Sequence, residues 1–154
     1  MTKLLALAMF AALWARPMAA ADPFAGKWKL NVTHSHYPAG TCPTSMVIEI
    51  EETGGGIRYD SDARYRNGAE THTQYAAMYD GKPVIVTSSH GLMLPVSLKR
   101  IDGRTVEATY SRGLQVIATS RRTVSPDGKR MRVTTRSLDP SGKAVKTVGV
   151  YDRE

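Results

Sequence analysis

The segment RTVEATYSRGLQVIATSRRTVSPDGKRMRVTTR, residues 104–136, decides the fold. Apolar and polar residues alternate along it, and glycine-containing turns interrupt it at 111–113 (Ser-Arg-Gly) and 125–128 (Ser-Pro-Asp-Gly). Alternation with a period of two is typical of half-buried strands, and such turns connect neighbouring antiparallel strands. The segment therefore predicts three antiparallel strands joined by hairpins.

The same turns predict which face is buried. A three-residue loop at 111–113 pairs Tyr110 with Leu114 and places both on one face. Carried through the four-residue loops at 125–128 and 139–142, this register gives one face the following residues: Val106, Ala108, Tyr110, Leu114, Val116, Ala118, Ser120, Arg122, Met131, Val133, Thr135, Lys146, Val148 and Val150. The other face carries Glu107, Arg121, Arg130, Arg132 and Arg136. We expect the mainly apolar face inside and this arginine face outside.

The rest of the chain repeats the pattern, because glycine-containing turns recur at near-even spacing and no segment has the apolar period of a helix. The predicted strands are 24–33, 44–53, 57–66, 69–79, 83–89, 95–101, 104–111, 114–124, 129–138 and 143–152. A meander this long usually closes on itself and removes its exposed edges. We predict an all-β fold, an up-and-down antiparallel β-barrel of about 8–10 strands.

The turn at 66–68 (Arg-Asn-Gly) allows two registers. A bulged loop puts Ile57, Tyr59, Ser61, Ala63, Tyr65, Ala69, Thr71, Thr73, Tyr75 and Ala77 inside. A two-residue Asn-Gly turn would instead put His72 and Gln74 inside, because a slip of one residue exchanges the faces. We prefer the bulged loop because it keeps both strands consistently patterned.

The amino terminus indicates export. Residues 1–21 combine Lys3, a short apolar run and Ala19-Ala20-Ala21, which together predict a secretory signal peptide. Residues 22–154 would then form a single barrel domain in the periplasm or outside the cell, with no transmembrane segment after signal removal. Cys42 is the only cysteine, so no intramolecular disulfide is possible. The formal charge of +7 is spread out rather than clustered, which disfavours nucleic-acid binding.

Two motifs resemble lipocalins and fatty-acid-binding proteins (calycin-type barrels), including small exported bacterial lipocalin-like proteins. Gly26-x-Trp28 is similar to the first strand of that group, whose tryptophan packs at the closed end of the barrel, and 150–154 (Val-Tyr-Asp-Arg-Glu) is similar to its last strand. Two features differ. Residues 34–43 are too short and too rich in proline and glycine for the helical lid of the fatty-acid-binding group, so we expect no lid helices. That group's carboxylate-binding Arg-x-Tyr reads Gly149-Val150-Tyr151 here.

An interior rich in tyrosine suits a ligand with an apolar body and a few polar groups. We predict that a monomer binds a small hydrophobic or amphipathic molecule inside the barrel, without a cofactor. The predicted ligand-binding residues are Tyr59, Tyr65, Tyr75, Tyr110, Arg122 and Trp28. Arg122 and Lys146 are the inward-facing cations of this register. Either could anchor an anionic group, or both could lie at strand ends and extend into solvent.

Two other functions remain open. The same barrel could be an isomerase- or cyclase-type enzyme in which the tyrosines and His90 act as acid or base. Alternatively, His34 and His36 could bind zinc or copper in an exported metal-binding protein, with His90 as a further candidate ligand.

Overall fold

The computed structural model describes residues 20–139 and 141–154, so all but the last two residues of the predicted signal peptide lie outside the described residues. The described residues form eleven strands: β1 (Gly26–Leu30), β2 (Ser45–Thr53), β3 (Gly56–Arg64), β4 (Glu70–Met78), β5 (Thr87–Ser88), β6 (Gly91–Leu92), β7 (Val96–Asp102), β8 (Thr105–Arg112), β9 (Gln115–Val124), β10 (Arg130–Leu138) and β11 (Ala144–Arg153). Their only helical element is a 3-10 turn, Val32–His34. No helix in the described part of the chain is long and apolar enough to cross a membrane.

All eleven strands belong to one antiparallel sheet of spatial order β6-β5-β4-β3-β2-β1-β11-β10-β9-β8-β7. Each strand therefore lies beside its sequence neighbour, except that β1 pairs with β11 and β6 does not pair with β7. The sheet curls into a barrel, and isolated bridges join Asp80 to Lys99 and Val84 to Val96 across the gap between β4 and β7. The predicted all-β, up-and-down architecture without lid helices is confirmed.

One predicted strand is much shorter than expected. Instead of a strand over 83–89, the structure has an irregular segment that makes single bridges, followed by the two-residue strands β5 and β6. Pro83 lies in this segment and has no N–H to donate to a sheet ladder.

One of the four predicted hairpin registers is confirmed, and a second keeps its predicted faces. Tyr59 pairs with Tyr75, as the bulged loop at 66–68 requires, and both side chains are buried inside the barrel. Across the turn at 125–128, Arg122 pairs with Val133 and not with Met131, because the Ser125 amide donates to the Arg130 carbonyl. This shift of two residues leaves Arg122 and Met131 on the predicted inner face. The residues of the predicted arginine face are outside: Arg121, Arg130, Arg132 and Arg136 are exposed.

The remaining two registers are corrected as well. Tyr110 pairs with Ala118 and not with Leu114, because the β8–β9 turn has two residues and a bulge lies beyond it. The bulge restores the predicted face for Val106, Ala108 and Tyr110, but Leu114 and Val116 are exposed at the tip.

In the β10–β11 hairpin, Thr135 pairs with Thr147 and not with Lys146. The Asp139 carboxylate accepts hydrogen bonds from the Ser141 and Lys143 amides, and the loop is one residue shorter than predicted. The slip exchanges the faces of β11. Lys146 is therefore exposed outside, and Tyr151 faces the interior in its place.

Val148 and Val150, which the same slip turns outward, are nevertheless buried. The segment after β1 continues along this edge, where the Asn31 amide donates to the Val150 carbonyl and His36 bridges to Val148. These contacts keep two outward valines out of water.

The Gly-x-Trp motif forms the closed end of the barrel. The Trp28 indole donates to the Phe24 carbonyl (2.9 Å), and the Arg153 guanidinium stacks 4.1 Å from the centre of the Trp28 ring. Arg153 also donates to the carbonyls of Pro23, Ala25 and Gly128. Gly26 has a φ of 128°, and a Cβ there would lie 2.5 Å from the Arg153 guanidinium, so only glycine fits.

Candidate functional site

A cavity of about 210 Å³ lies inside the barrel, away from the Trp28 end. Tyr65 and Tyr110, which are among its lining residues, lie at the ends of strands next to the turns at 66–68 and 113–114, and we call this end the open end. The lining residues are Tyr37, Pro43, Met46, Ile48, Tyr59, Tyr65, Tyr110, Ser120, Arg122, Val133, Thr135, Thr147 and Tyr151. The lining thus combines aromatic and aliphatic surface with hydroxyl groups and one cation.

Arg122 is that cation, and its side chain is buried with only 5% of the residue exposed. It projects inward because it alternates with the outward Arg121 along β9, and its partners on the neighbouring strands are Val106 and Val133. Its Nη1 atom is buried and has no hydrogen-bond partner among residues 20–139 and 141–154. The prediction that an inward cation lies here is confirmed, and Arg122 does not extend into solvent.

Two stacked tyrosines support the guanidinium. The Tyr59 and Tyr75 rings lie 4.7 Å apart at an interplanar angle of 13°. The Arg122 guanidinium carbon lies 4.9 Å from the Tyr59 ring centre and 5.9 Å from that of Tyr75. Cation–π attraction offsets part of the cost of burying the charge, but a ring face gives the guanidinium N–H groups no strong acceptor.

The two stacked phenols beside Arg122, Tyr59 and Tyr75, remain neutral. Burial raises the pKa of Tyr59 and of Tyr75, and the positive charge of Arg122 only partly opposes this shift. The Tyr75 hydroxyl is buried and, like Arg122 Nη1, has no hydrogen-bond partner within the described residues. The site therefore offers a permanent cation and neutral hydroxyl groups, which suits binding of an anion rather than proton transfer at neutral pH.

Gly149 makes room for a second pair of tyrosines. A Cβ at Gly149 would lie 2.7 Å from Tyr151 Cε2 and 2.9 Å from the Tyr37 hydroxyl. The Tyr151 hydroxyl also donates to the Met46 sulfur at 3.3 Å. At the position where the fatty-acid-binding group carries the arginine of Arg-x-Tyr, this chain therefore packs two phenols against a glycine.

The structure brings together four of the six predicted ligand-binding residues. Tyr59, Tyr65, Tyr110 and Arg122 line the cavity. Tyr75 lies behind Tyr59 and beside Arg122, and Trp28 is part of the closed end. Tyr151 was not among the predicted residues because the predicted register of β11 places it on the outer face. Tyr37 belongs to an irregular segment whose path the strand pattern does not predict.

The histidines lie away from the cavity. His34, His36 and His90 are exposed and form no cluster of three metal-ligating residues within the described chain. The one such cluster in residues 20–139 and 141–154 is Asp60, Asp62 and His72, whose ligand atoms lie within 4.8 Å of one another. These side chains are partly or fully exposed on the outer face, and His72 Nδ1 lies 3.0 Å from Asp62 Oδ1, so hydrogen bonding within the group accounts for the arrangement.

Two solved structures are similar to this barrel. The zebrafish ileal bile-acid-binding protein complexed with cholic acid has a TM-score of 0.59 at 14% identity, covering 86% of this chain and 99% of its own. The Schistosoma mansoni fatty-acid-binding protein in complex with arachidonic acid has a TM-score of 0.64 at 15% identity, covering 88% and 99%. The chain has their fold. No family model matches the sequence, and no curated protein matches it closely enough to count as a relative.

The resemblance drawn from Gly26-x-Trp28 and the last strand is thus confirmed for the fold. The match extends over nearly the whole length of both solved structures. At this identity the likeness concerns the backbone, and the chemistry of the site must be argued from the residues of this chain.

Proposed function

We propose that this protein is an exported binding protein for a small amphipathic molecule, held in the barrel interior with an anionic group against Arg122. The observation that carries the proposal is the buried guanidinium of Arg122, whose Nη1 atom lacks an acceptor in the described structure and which lines the cavity. A buried charge without a counter-charge is costly, and a carboxylate or similar anion would neutralise it and accept its hydrogen bonds.

The lining supports an amphipathic ligand. Met46, Ile48 and Val133 offer apolar contact, while Ser120 and Thr135, whose hydroxyl groups hydrogen-bond to each other, add polar groups to the same cavity wall. The two proteins of similar fold were solved with cholic acid and with arachidonic acid, both of them acids. The cavity of about 210 Å³ is smaller than ordinary ligand pockets of roughly 300–1,000 Å³, which favours a compact or short-chain ligand.

The export part of the proposal is supported at the amino terminus. Ala20 and Ala21 are exposed, whereas Asp22 is buried and its carboxylate accepts hydrogen bonds from the Phe24 amide (3.0 Å) and the Tyr79 hydroxyl (2.8 Å). Counted from Ala20, where the described structure starts, the first buried residue therefore directly follows the predicted cleavage position. Mass spectrometry of the protein recovered from the periplasm or medium should give a chain that begins at Asp22. Recovery of the uncleaved chain inside the cell would contradict export.

Ligand binding is tested with decanoate and decanamide, which share a chain and differ in charge, by isothermal titration calorimetry. We expect the wild-type protein to prefer decanoate, and R122Q to lose at least thirtyfold in decanoate affinity while its decanamide affinity changes little. That loss corresponds to about 2 kcal/mol, the lower end for removing one partner of a buried charge pair. R121Q is the matched control because Arg121 is the adjacent, outward arginine. Equal affinity of wild type and R122Q for decanoate would refute the proposal.

A further inference from the structure

The open end of the barrel carries a surface that combines exposed apolar and cationic side chains. Its apolar members are Leu114, Val116 and Leu138, of which Leu114 is fully exposed at the tip of the β8–β9 turn. Its cationic members are Arg112, Arg136 and Lys146, all exposed. We call these six residues the open-end patch.

The strand register holds the patch together. Ser137 pairs with Ala118, so Leu138 lies beside the first residues of β9. This part of β9 includes Val116 and directly follows Leu114 of the turn. Arg136 and Lys146 are directly opposite each other on β10 and β11. The ends of β8, β9, β10 and β11 at the open end thus present exposed apolar side chains next to the paired cations.

The cations of the patch lack counter-charges within the described part of the protein. No carboxylate among residues 20–139 and 141–154 forms an ion pair with Arg112, Arg136 or Lys146. Asp139, which directly follows Leu138, already accepts hydrogen bonds from Ser141 and Lys143 of its own turn. Like charges placed opposite each other in a sheet destabilise it, and an external anion would relieve the repulsion.

We infer that the open-end patch docks on the surface of an anionic lipid bilayer, with Leu114 and Leu138 inserted between headgroups. Cations alone would also suit a nucleic acid or an acidic peptide. Transfer of the exposed leucines into an apolar phase is favourable, however, and a bilayer surface offers anionic headgroups and hydrocarbon side by side. The inference does not rest on Arg122 or on any ligand in the cavity, but docking at this end would bring the cavity's open end to the membrane.

Co-sedimentation of the full chain with phosphatidylglycerol–phosphatidylcholine vesicles, and with phosphatidylcholine vesicles alone, tests the inference at about 0.1 M salt. The wild-type protein should sediment only with the anionic vesicles. R136E–K146E should bind anionic vesicles at least about 25-fold more weakly, since each lipid-facing cation raises the affinity for the membrane about fivefold. L114S–L138S should bind at least about tenfold more weakly, because two apolar side chains leave the bilayer.

The matched control is I101S–R104E, which makes the same kinds of change at the opposite end of the barrel, where Ile101 and Arg104 are also exposed. It should bind anionic vesicles like the wild type. The inference is overturned if the wild type does not sediment with anionic vesicles, or if either patch variant binds as tightly as the control. Decanoate binding, measured in solution on the same variants, should be unchanged. A failure of decanoate binding in the wild type would refute the proposed function without affecting the vesicle result.

Discussion

Replacing Arg122 by methionine separates a binding role from a structural one. Methionine keeps an unbranched side chain of similar reach and removes the buried charge whose Nη1 atom has no acceptor in the described chain. Burying an unpaired ion costs several kcal/mol in a real protein, and cation–π contact with the Tyr59 and Tyr75 rings returns about 2 kcal/mol. We therefore expect R122M to raise the free energy of unfolding of the ligand-free protein by about 1–3 kcal/mol.

The assay is urea and thermal unfolding of ligand-free R122M beside the wild type. A gain of this size should raise the Tm by about 3–10 °C in a chain of this length. Decanoate should raise the Tm of the wild type and leave that of R122M unchanged, because only a protein that binds the ligand is stabilised by it. R121M controls for the loss of a positive charge and should change little, since Arg121 is exposed.

A destabilisation of R122M by more than about 1 kcal/mol would refute this reasoning. Such a result would mean that the guanidinium is satisfied in the folded protein, and that removing it breaks interactions the barrel needs. The same substitution would then carry no information on an anionic ligand, and the function would have to be argued from the tyrosines alone.

Two further predictions concern the second tyrosine pair and the outer face. G149A should lower the free energy of unfolding by about 1–3 kcal/mol in urea titrations, because its Cβ would displace both Tyr37 and Tyr151, and an unchanged midpoint would contradict the packing of these rings. Hydrogen bonding to Asp62 raises the pKa of His72, so the pair stabilises the protein at acidic pH, and this contribution is lost as the pH rises through the folded-state pKa. NMR titration should therefore show a lower His72 pKa in D62N than in the wild type, and identical titration curves would contradict the pairing.

The sequence predicts the barrel and most of its inner face because these follow from local turn chemistry. At 125–128 the observed pairing is displaced from the predicted one by two residues. Because the displacement is even, Arg122 and Met131 are still predicted on the correct face. The bulged loop at 66–68 likewise places Tyr59 opposite Tyr75.

The errors arise where one residue changes the parity of a hairpin. At 139–143 the hydrogen bonds of the Asp139 side chain accompany a loop that is one residue shorter than predicted. The shorter loop turns Lys146 outward and Tyr151 inward. At β8–β9 a bulge restores the face that a different turn had shifted, and nothing in the alternation of polar and apolar residues marks that bulge. The position of Tyr37 depends on a chain segment that pairs with β11 far along the sequence, and local patterns do not predict such contacts.

It could not be predicted from the sequence either that no carboxylate of the described residues forms an ion pair with Arg122. The chain has 14 Asp and Glu residues, and only the structure shows that the strands beside Arg122 present Val106 and Val133 to it. That neighbourhood turns an inward-facing cation into a candidate ligand-binding group.

The most direct test of the account is a crystal structure of the protein grown with decanoate. The account predicts the ligand inside the barrel, with a carboxylate oxygen within about 3 Å of Arg122 Nη1 and its chain against Met46, Ile48 and Val133. A filled interior with decanoate only on the outer surface, or a carboxylate group of the protein itself paired with Arg122, would contradict it.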